Sequence, residues 1–389
     1  MKKVGIITIS RINNYGAGLQ SYALQKKIQL LGYDAEMIDY LYFKHKSYKQ
    51  TSQAKPLATF SKKEEIKQYV LYRIATPVIE NFLSLFHRSV NKRLKNFAEF
   101  HQRNIRFSKQ YRSIAALYNG EHPYDVFIVG SDQVWNPDTG TSLAPYFLDF
   151  APEDRLKISY ASSFGVSSID PAYHLAYRRY FENLNAISVR EEDGVKLVKE
   201  ITGRNAERVL DPTLLLTKKD WLTVVDKRQD LPDKYVLIYT LHDSPAALEW
   251  AHYIRAKFNL KIIRICKRSF ANKKEENVRN IGDAGPAQFV ELFSNASFVV
   301  TNSFHGTAFS VNFNIPFVAV LKIGKENNSR ISNFLNLVKL NERIVNETHL
   351  PEKKPADFFA TDFSVSNQIL ERERESSIHY LLSNLNSNK

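Results

Sequence analysis

The chain has 389 residues, two to three times the length of a typical domain, which predicts two domains. Apolar residues make up 43% and charged residues 24%, which excludes a disordered or collagen-like chain. The single cysteine, Cys266, excludes a disulfide framework and any cysteine-based metal cluster. No apolar run reaches the ~18 residues of a membrane span, and the short apolar stretch after Lys3 is too short for a signal peptide. We therefore expect a cytoplasmic protein.

The positive charge is concentrated in one segment. The net charge is +13, and residues 44–112 contain 16 Lys and Arg against four acidic residues. Apolar residues recur there at steps of three and four from Ile66 to Phe97, which predicts amphipathic helices. Two interpretations stay open. In one, the segment is a helical insertion with solvated lysines. In the other, its basic face contacts anionic lipid or a pyrophosphate-linked substrate at the inner face of the membrane. No nucleic-acid-binding motif is present, so we expect no nucleic acid partner.

The first part of the chain alternates strands with helices. The predicted elements are a strand at 4–10, a glycine-bearing loop at 13–18, a helix at 19–31, strands at 35–40, 124–129 and 157–161, a helix at 173–184 and a strand at 186–189. A strand, a helix and a second strand in this order form a βαβ unit, which builds a parallel sheet with helices on both faces.

The second part repeats the same rhythm. We predict strands at 235–239, 261–265, 297–301 and 317–321, with helices at 245–258, 286–295, 306–313 and 364–385. The predicted fold class is α/β and GT-B-like, with two Rossmann-like domains facing a cleft and a basic helical insertion in the first. The predicted domains are 1–200, with the insertion at 44–112, and 201–345, followed by a helical tail at 346–389 that packs back on the first domain. Ligands of such folds bind at the carboxyl ends of the strands.

The sharpest local pattern runs from Phe298 to Thr307. An apolar strand ends, polar residues turn the chain, and a helix begins near His305 with Ser303 as its N-cap. The amino end of a helix favours anions, and an imidazole beside it is suited to proton transfer near neutral pH. The alternative is a capping serine followed by a histidine that bonds only to backbone.

Several segments together resemble the polysaccharide pyruvyl transferase family. They are VGIITISRINNYGAGLQSYALQ (4–25), DVFIVGSDQVWNP (125–137), YASSFG (160–165), ISVREEDGVKLV (187–198), VLDPTLLL (209–216) and VVTNSFHGTAFSVNFNIPFVAV (299–320). The resemblance implies an enzyme that transfers the enolpyruvyl unit of phosphoenolpyruvate onto two hydroxyls of a sugar. The product would be a pyruvate ketal on a surface polysaccharide or a lipid-linked precursor. No cofactor and no metal are implied, because phosphoenolpyruvate is itself the donor substrate.

The resemblance also implies donor-binding residues. Arg190 matches an arginine that holds the donor, and His305 matches the proposed acid of an Arg-x-His element. Ser303 stands where that element has arginine, and a hydroxyl does not replace a bidentate cation. We expect the missing charge from a cation after the strand at 317–321, with Arg330 preferred over Lys325 and Lys322. The remaining predicted donor-binding residues, all at the start of the same helix, are Ser303, Phe304, Gly306 and Thr307.

Acceptor-binding residues are predicted in the first domain. Asp132 is the candidate base for the sugar hydroxyl, with loop hydrogen bonding as the alternative. The other candidates follow predicted strands, with turn formation and core packing as their alternatives: Asn14, Tyr15, Gly16, Gly18, Gln20, Gln133 and Trp135. His242 follows the strand at 235–239 and is a weaker candidate, and Asp211-Pro212-Thr213 is interpreted as a turn between the domains.

Two other functions stay open at this stage. A GT-B glycosyltransferase that uses a nucleotide-sugar would share the fold, because fold does not determine function. A non-catalytic relative that binds glycan or membrane would explain the serine at position 303.

Overall fold

The computed structural model describes residues 1–49, 78–79, 88–228, 230–266, 275–322, 328–348 and 359–387. The chain forms two compact units. Unit 1 contains Met1–Phe82, His101–Leu215 and Arg374–Lys389, and unit 2 contains Leu83–Phe100 and Leu216–Glu373. The division after Leu215 lies later than the predicted boundary at 200, because the buried segment around Leu210 packs in unit 1. The hydroxyl of Tyr160 donates to the Leu210 carbonyl at 3.1 Å.

Unit 1 is built on a five-stranded parallel sheet of order β3-β2-β1-β4-β5. Strands β4 and β5 are buried throughout and β1 is buried after Lys3, as the near-continuous apolar sequences predict. A separate parallel pair follows, formed by β6 and β7. The strands are β1 (Lys3–Ile7), β2 (Asp34–Tyr40), β3 (Phe107–Tyr111), β4 (Val126–Val129), β5 (Leu156–Ser159), β6 (Ser188–Val189) and β7 (Glu207–Arg208).

The first helix begins earlier than the sequence predicted. Helix α1 (Tyr15–Leu30) starts at Tyr15 because the side chain of Asn14 accepts a hydrogen bond from the Ala17 amide and caps it. Gly16 and Gly18 therefore lie buried inside the helix and not in a loop, which corrects the prediction. The other helices that lie wholly in unit 1 are α3 (Ile114–Tyr118), α4 (His174–Glu182) and α5 (Glu192–Thr202).

Helix α2 (Arg88–Asn104) is the long helix in the described part of the basic insertion, which also contains β3. Val90, Phe97 and Phe100 are buried along one face, as the apolar spacing predicts. Lys92 forms an ion pair with Asp283 at 3.1 Å, so one cation of this helix is engaged within unit 2. Residues 50–77 and 80–87 of the insertion, with five of its 16 Lys and Arg residues, lie outside the described residues.

Unit 2 contains a six-stranded parallel sheet of order β10-β9-β8-β11-β12-β13. The edge strands β10 and β13 were not predicted, because they are short and carry polar residues. The strands are β8 (Tyr235–Tyr239), β9 (Lys261–Ile265), β10 (Val278–Ile281), β11 (Phe298–Thr301), β12 (Phe317–Leu321) and β13 (Ile344–Asn346). The helices are α6 (Lys218–Trp221), α7 (Pro245–Phe258), α8 (Pro286–Ser294), α9 (Phe304–Asn312) and α10 (Ser329–Leu337).

The last helix, α11 (Ser364–Asn386), contributes to both units. In its second half, which belongs to unit 1, the Tyr380 hydroxyl donates to the Ser159 carbonyl at 2.9 Å, and the Ser377 hydroxyl accepts from the Leu210 amide at 3.0 Å. In its first half, which belongs to unit 2, the Ser366 hydroxyl donates to the Val338 carbonyl at 2.8 Å.

Candidate functional site

The candidate donor site lies in unit 2, where β11 ends and helix α9 begins. Ser303 is the N-cap, with extended backbone and a hydroxyl that accepts from the Gly306 amide at 3.4 Å. This confirms the predicted cap. The first turn of α9 thus directs its backbone N–H groups toward the carboxyl edge of the sheet, an arrangement that favours an anion.

The turn before the helix is held by Thr301. Its hydroxyl donates to the Tyr239 carbonyl at 2.6 Å and accepts from the Ser303 amide at 3.1 Å. Gly306 packs directly against this hydroxyl, since an added Cβ would lie 2.3 Å from Oγ1 of Thr301. A glycine is required here because the helix approaches the strand too closely for any side chain.

His305 is half-buried in the first turn of α9. Its ring meets the ring of Phe304 edge-on, with the ring centroids 5.3 Å apart. The ring of Phe304 in turn packs against that of Phe334 in α10, with centroids 5.9 Å apart. Thr307 is buried, and its hydroxyl donates to the Ser303 carbonyl at 3.1 Å, so it supports the helix start from inside. Of the five predicted residues at positions 303–307, His305 is thus the one whose side chain is partly accessible.

The cations predicted to replace the missing arginine follow β12. Arg330 is the second residue of helix α10, which packs against α9 through Phe334 and Phe304. Lys322 is exposed directly after β12. Lys325 lies outside the described residues. Two candidate cations therefore lie on the elements that neighbour the helix start.

Asn302 is a site residue that sequence reasoning did not single out. Its side-chain oxygen accepts from the Leu241 amide at 2.7 Å, and its side-chain nitrogen lies 3.3 Å from Nε2 of His242. The neighbouring strands β8 and β11 are paired in parallel with Tyr239 opposite Thr301, which brings these residues together. The signal was present as a polar residue directly after an apolar strand.

Arg190 lies in unit 1 at the end of β6 and is buried. Its Nε donates to Glu191 at 2.6 Å and its Nη1 donates to Asp211 at 2.9 Å. Burial by itself lowers the pKa of Arg190, but Glu191, Asp211 and Asp132 together raise it above its ordinary value. One guanidinium thus faces three carboxylates, so this cluster does not by itself attract an anionic donor.

Asp211 completes the cluster. One carboxylate oxygen accepts from the amide and hydroxyl of Thr213 at 2.9 and 2.7 Å, and the other accepts from the Ser131 hydroxyl at 3.2 Å as well as from Arg190. The aspartate therefore caps the predicted turn at Pro212, which lies within unit 1. Its ion pair with Arg190, twenty-one positions away, was not predicted.

Asp132 and Gln133 follow β4 at the carboxyl edge of the unit 1 sheet. Asp132 is partly exposed and has a φ of 77°, a left-handed conformation that is uncommon for a residue other than glycine. Such backbone strain is concentrated at functional sites. The side-chain oxygen of Gln133 accepts from Asn136 at 3.2 Å, so this amide is at least partly engaged in the loop.

Trp135 does not face a sugar site, which corrects its prediction as an acceptor residue. The side chain is fully buried, its indole N–H donates to the Tyr146 carbonyl at 2.8 Å, and its ring stacks on Phe147 with centroids 5.0 Å apart. Phe164 and Phe181 cover it further. A core role explains every contact.

The predicted acceptor residues around α1 are also mostly buried. Tyr15, Gly16, Gly18 and Gln20 are covered, and the Gln20 amide donates to the Thr8 hydroxyl at 3.0 Å. Asn14 alone of this group is exposed. The earlier start of the helix is the reason, because it turns these residues into the interior of unit 1.

The described residues contain no group of three or more His, Cys, Asp or Glu side chains that could hold a metal ion. Over the same part of the chain, no helix combines the length and the apolar character that a membrane crossing requires.

Two parallel sheets, each interleaved with helices, define a GT-B fold. Solved structures share it. A putative UDP-N-acetylglucosamine 2-epimerase from Listeria monocytogenes matches with a TM-score of 0.54 at 10% identity, over 100% of this chain and 97% of that one. The S. aureus MnaA–UDP structure matches with a TM-score of 0.50 at 11% identity, over 100% and 99%. At such identities the similarity concerns the fold alone.

The family of this chain is identified from its amino-acid sequence. The model of the polysaccharide pyruvyl transferase family matches residues 14–321, which is most of the chain. The chain therefore belongs to this family of transferases in polysaccharide biosynthesis. No curated protein matches it.

Proposed function

We propose that the chain is a ketal-forming pyruvyl transferase, which moves the enolpyruvyl unit of phosphoenolpyruvate onto two hydroxyls of one sugar. The sugar belongs to a surface polysaccharide or to its lipid-linked precursor. The observation that carries the proposal is the position of His305, half-buried in the first turn of α9 beside the Ser303 cap. An acid and an anion-binding helix end are thereby side by side.

The donor is strongly anionic and needs positive partners. In this proposal the amino end of α9 receives its phosphate or carboxylate, and Arg330 and Lys322 supply charge from the elements that follow β12. The pairing of Arg190 with Glu191 and Asp211 does not support a donor role for it, and that role stays a prediction.

The reaction balances with these groups. His305 gives a proton to the methylene carbon, which becomes a methyl group, and positive charge develops on the neighbouring carbon. The first sugar hydroxyl attacks that carbon and loses its proton, and Asp132 as the base that takes it stays a prediction from the sequence. The carbon–oxygen bond to phosphate then breaks, phosphate leaves with the electron pair, and the second hydroxyl attacks. Of the two hydroxyl protons, one replaces the proton spent on the methyl group and one leaves on hydrogen phosphate.

The test is phosphate release from phosphoenolpyruvate in the presence of extracted polysaccharide precursors. His305→Gln should lower turnover at least ~100-fold, because general acid catalysis contributes that much. The matched control is His252→Gln, a half-buried histidine on α7 of the same unit. Parallel titrations with phosphoenolpyruvate and with UDP show which of the two classes of donor the protein binds. Binding of UDP alone, or full activity of His305→Gln, would contradict the proposal.

Contact of segment 44–112 with anionic lipid belongs to the proposal as well. Its support is the charge excess of the segment. Flotation with vesicles that contain phosphatidylglycerol, compared with neutral vesicles, tests it, and equal binding to both would contradict it.

A further inference from the structure

A cavity of about 680 Å³ opens at the amino-terminal edge of the unit 2 sheet. Two of its lining residues, Lys261 and Val278, are the first residues of β9 and β10. Arg255, in the last turn of α7, and the loop from Asp230 to Pro232 also line it. All of these residues belong to unit 2.

This cavity lies away from the candidate donor site. The Ser303 cap follows β11 at the carboxyl edge of the sheet, whereas the cavity lies where β9 and β10 begin, and all these strands are parallel. The five residues of β9 separate the two edges by about 16 Å, at about 3.3 Å per residue. The cavity is therefore a separate place in the fold, with no role in the proposed reaction.

The wall of the cavity is positively charged. It contains three cations, Arg255, Lys261 and Arg279, against one carboxylate, that of Asp230. Among the residues that the structure describes, the side chains of Arg255 and Lys261 form no ion pair. Arg279 pairs with Asp230, but Asp230 also pairs with Arg228 at 3.4 Å, so two arginines share its charge. The lining thus retains a surplus of two positive charges.

Charge and size together indicate the class of ligand. A phosphate ester carries a charge of about −1.5 to −2 at neutral pH and a carboxylate carries about −1, so the surplus matches a phosphate better. Guanidinium groups also fit phosphate oxygens in pairs. A phosphate group alone would leave most of the cavity unfilled, since pockets of about 300–1,000 Å³ hold whole small molecules. Leu231, Pro232 and Val278 offer apolar surface to the rest of such a molecule.

We propose that this cavity binds a phosphorylated small molecule, with its phosphate held by Arg255, Lys261 and Arg279 and its organic part against Pro232 and Val278. Sugar phosphates and nucleotides share this chemistry. The inference goes beyond the proposed function, because it assigns a second ligand site at the edge of the sheet opposite the donor site.

The first experiment locates binding through the reactivity of Lys261. The full chain is reductively methylated with and without millimolar glucose 1-phosphate or UDP, and mass spectrometry reads the modification of each lysine. One of the two ligands should slow the modification of Lys261 several-fold. Lys219, an exposed lysine of α6 in the same unit, should react equally in all samples. Unchanged reactivity of Lys261 with both ligands would overturn the inference.

The second experiment is calorimetric titration of the full chain with the same two ligands. Arg255→Gln and Lys261→Gln should each raise the Kd of the ligand that protects Lys261 about tenfold, because each variant loses a charge-assisted hydrogen bond. Lys219→Gln is the matched control and should bind as the wild type does. Arg255 is half-buried and Lys261 is exposed, so both variants should fold, which thermal melting verifies. Unchanged affinity in both variants would overturn the inference.

A comparison of ligands identifies the source of the phosphate. Tighter binding of UDP than of glucose 1-phosphate would indicate a nucleotide, and the reverse would indicate a sugar phosphate. Inorganic phosphate should bind more weakly than the preferred ester, because it makes no contact with the apolar wall. Equal affinity for inorganic phosphate and both esters would contradict a site built for a phosphorylated molecule.

The two proposals can fail separately. Phosphate release from phosphoenolpyruvate tests the proposed function, and its absence would leave the protection of Lys261 unaffected. Conversely, if Lys261 is not protected while phosphoenolpyruvate is turned over, this inference alone is wrong.

Discussion

Arg190 and Asp211 form a buried ion pair in unit 1, with Nη1 of the arginine 2.9 Å from Oδ2 of the aspartate. The same oxygen accepts from Ser131, and the other oxygen accepts from Thr213. The pair links the end of β6 to the turn at Pro212. Through Ser131 it also reaches the loop that follows β4. It is a structural element of the carboxyl edge of this sheet.

Asp211→Asn should therefore destabilise unit 1. Arg190 keeps its ion pair with Glu191 at 2.6 Å, so the variant loses one buried hydrogen bond between charged groups, which costs about 1.5–3 kcal/mol. The measurement is urea unfolding followed by tyrosine and tryptophan fluorescence. The control is Arg155→Ala, which removes an exposed pair with Asp125 at 3.6 Å and should cost no more than ~1 kcal/mol. Equal urea midpoints for the two variants would show that the buried ion pair contributes no more to stability than the exposed one.

Trp135→Ala should lower the free energy of unfolding by about 3–5 kcal/mol, because a fully buried aromatic side chain leaves a large cavity. Trp135→Phe should cost clearly less, since most of the packing against Phe147 is kept. Chemical denaturation measures both, with Leu175→Ala, at an exposed position of α4, as the control. A loss of acceptor binding by Trp135→Phe with unchanged stability would instead support a sugar-stacking role.

Gly306→Ala should destabilise unit 2 by about 1–3 kcal/mol, because the new Cβ meets the Thr301 hydroxyl at 2.3 Å. Two hydrogen bonds hold the Thr301 hydroxyl in place, so it does not readily move away from the new Cβ. The double variant Thr301→Ala/Gly306→Ala should be less destabilised than the sum of the two single variants. If the changes in the free energy of unfolding are strictly additive in a double-mutant cycle, the new Cβ at position 306 does not clash with the Thr301 hydroxyl.

The stability of unit 1 should fall in mild acid because of His101. Burial and, as the smaller cause, the positive charge of Arg11 together lower the pKa of His101 from 6.5 to about 4. As the pH falls below 6.5, the unfolded histidine takes up a proton that the folded one does not. The folded state then loses up to ~3 kcal/mol between pH 6.5 and 4.

Calorimetric melting across this pH range tests the effect. His101→Phe, which keeps an aromatic ring beside Phe107, should flatten the curve in that window. His379→Gln, at an exposed position of α11, should leave it as in the wild type. If the melting temperature of His101→Phe depends on pH as steeply as that of the wild type, His101 is not the cause.

Much of the fold could be predicted from local sequence. Buried parallel strands are short apolar runs, and β8, β9 and β12 have the predicted bounds. The cap at Ser303 was predicted because a polar residue with a short side chain follows an apolar strand and precedes a helix. Strands β3, β10 and β13 escaped prediction, since edge strands carry polar residues and need not be apolar.

The sequence by itself determined the alternation of strands and helices, the family, and the position of His305 at the start of a helix, because each depends on residues close together in the chain. Only the tertiary structure decided that Arg190 pairs with Asp211, that Trp135 stacks in a core, and that Asn302 contacts His242. These relationships join separate elements. They depend on which strands become neighbours, and hydrophobic burial and sheet pairing decide that for the whole chain at once.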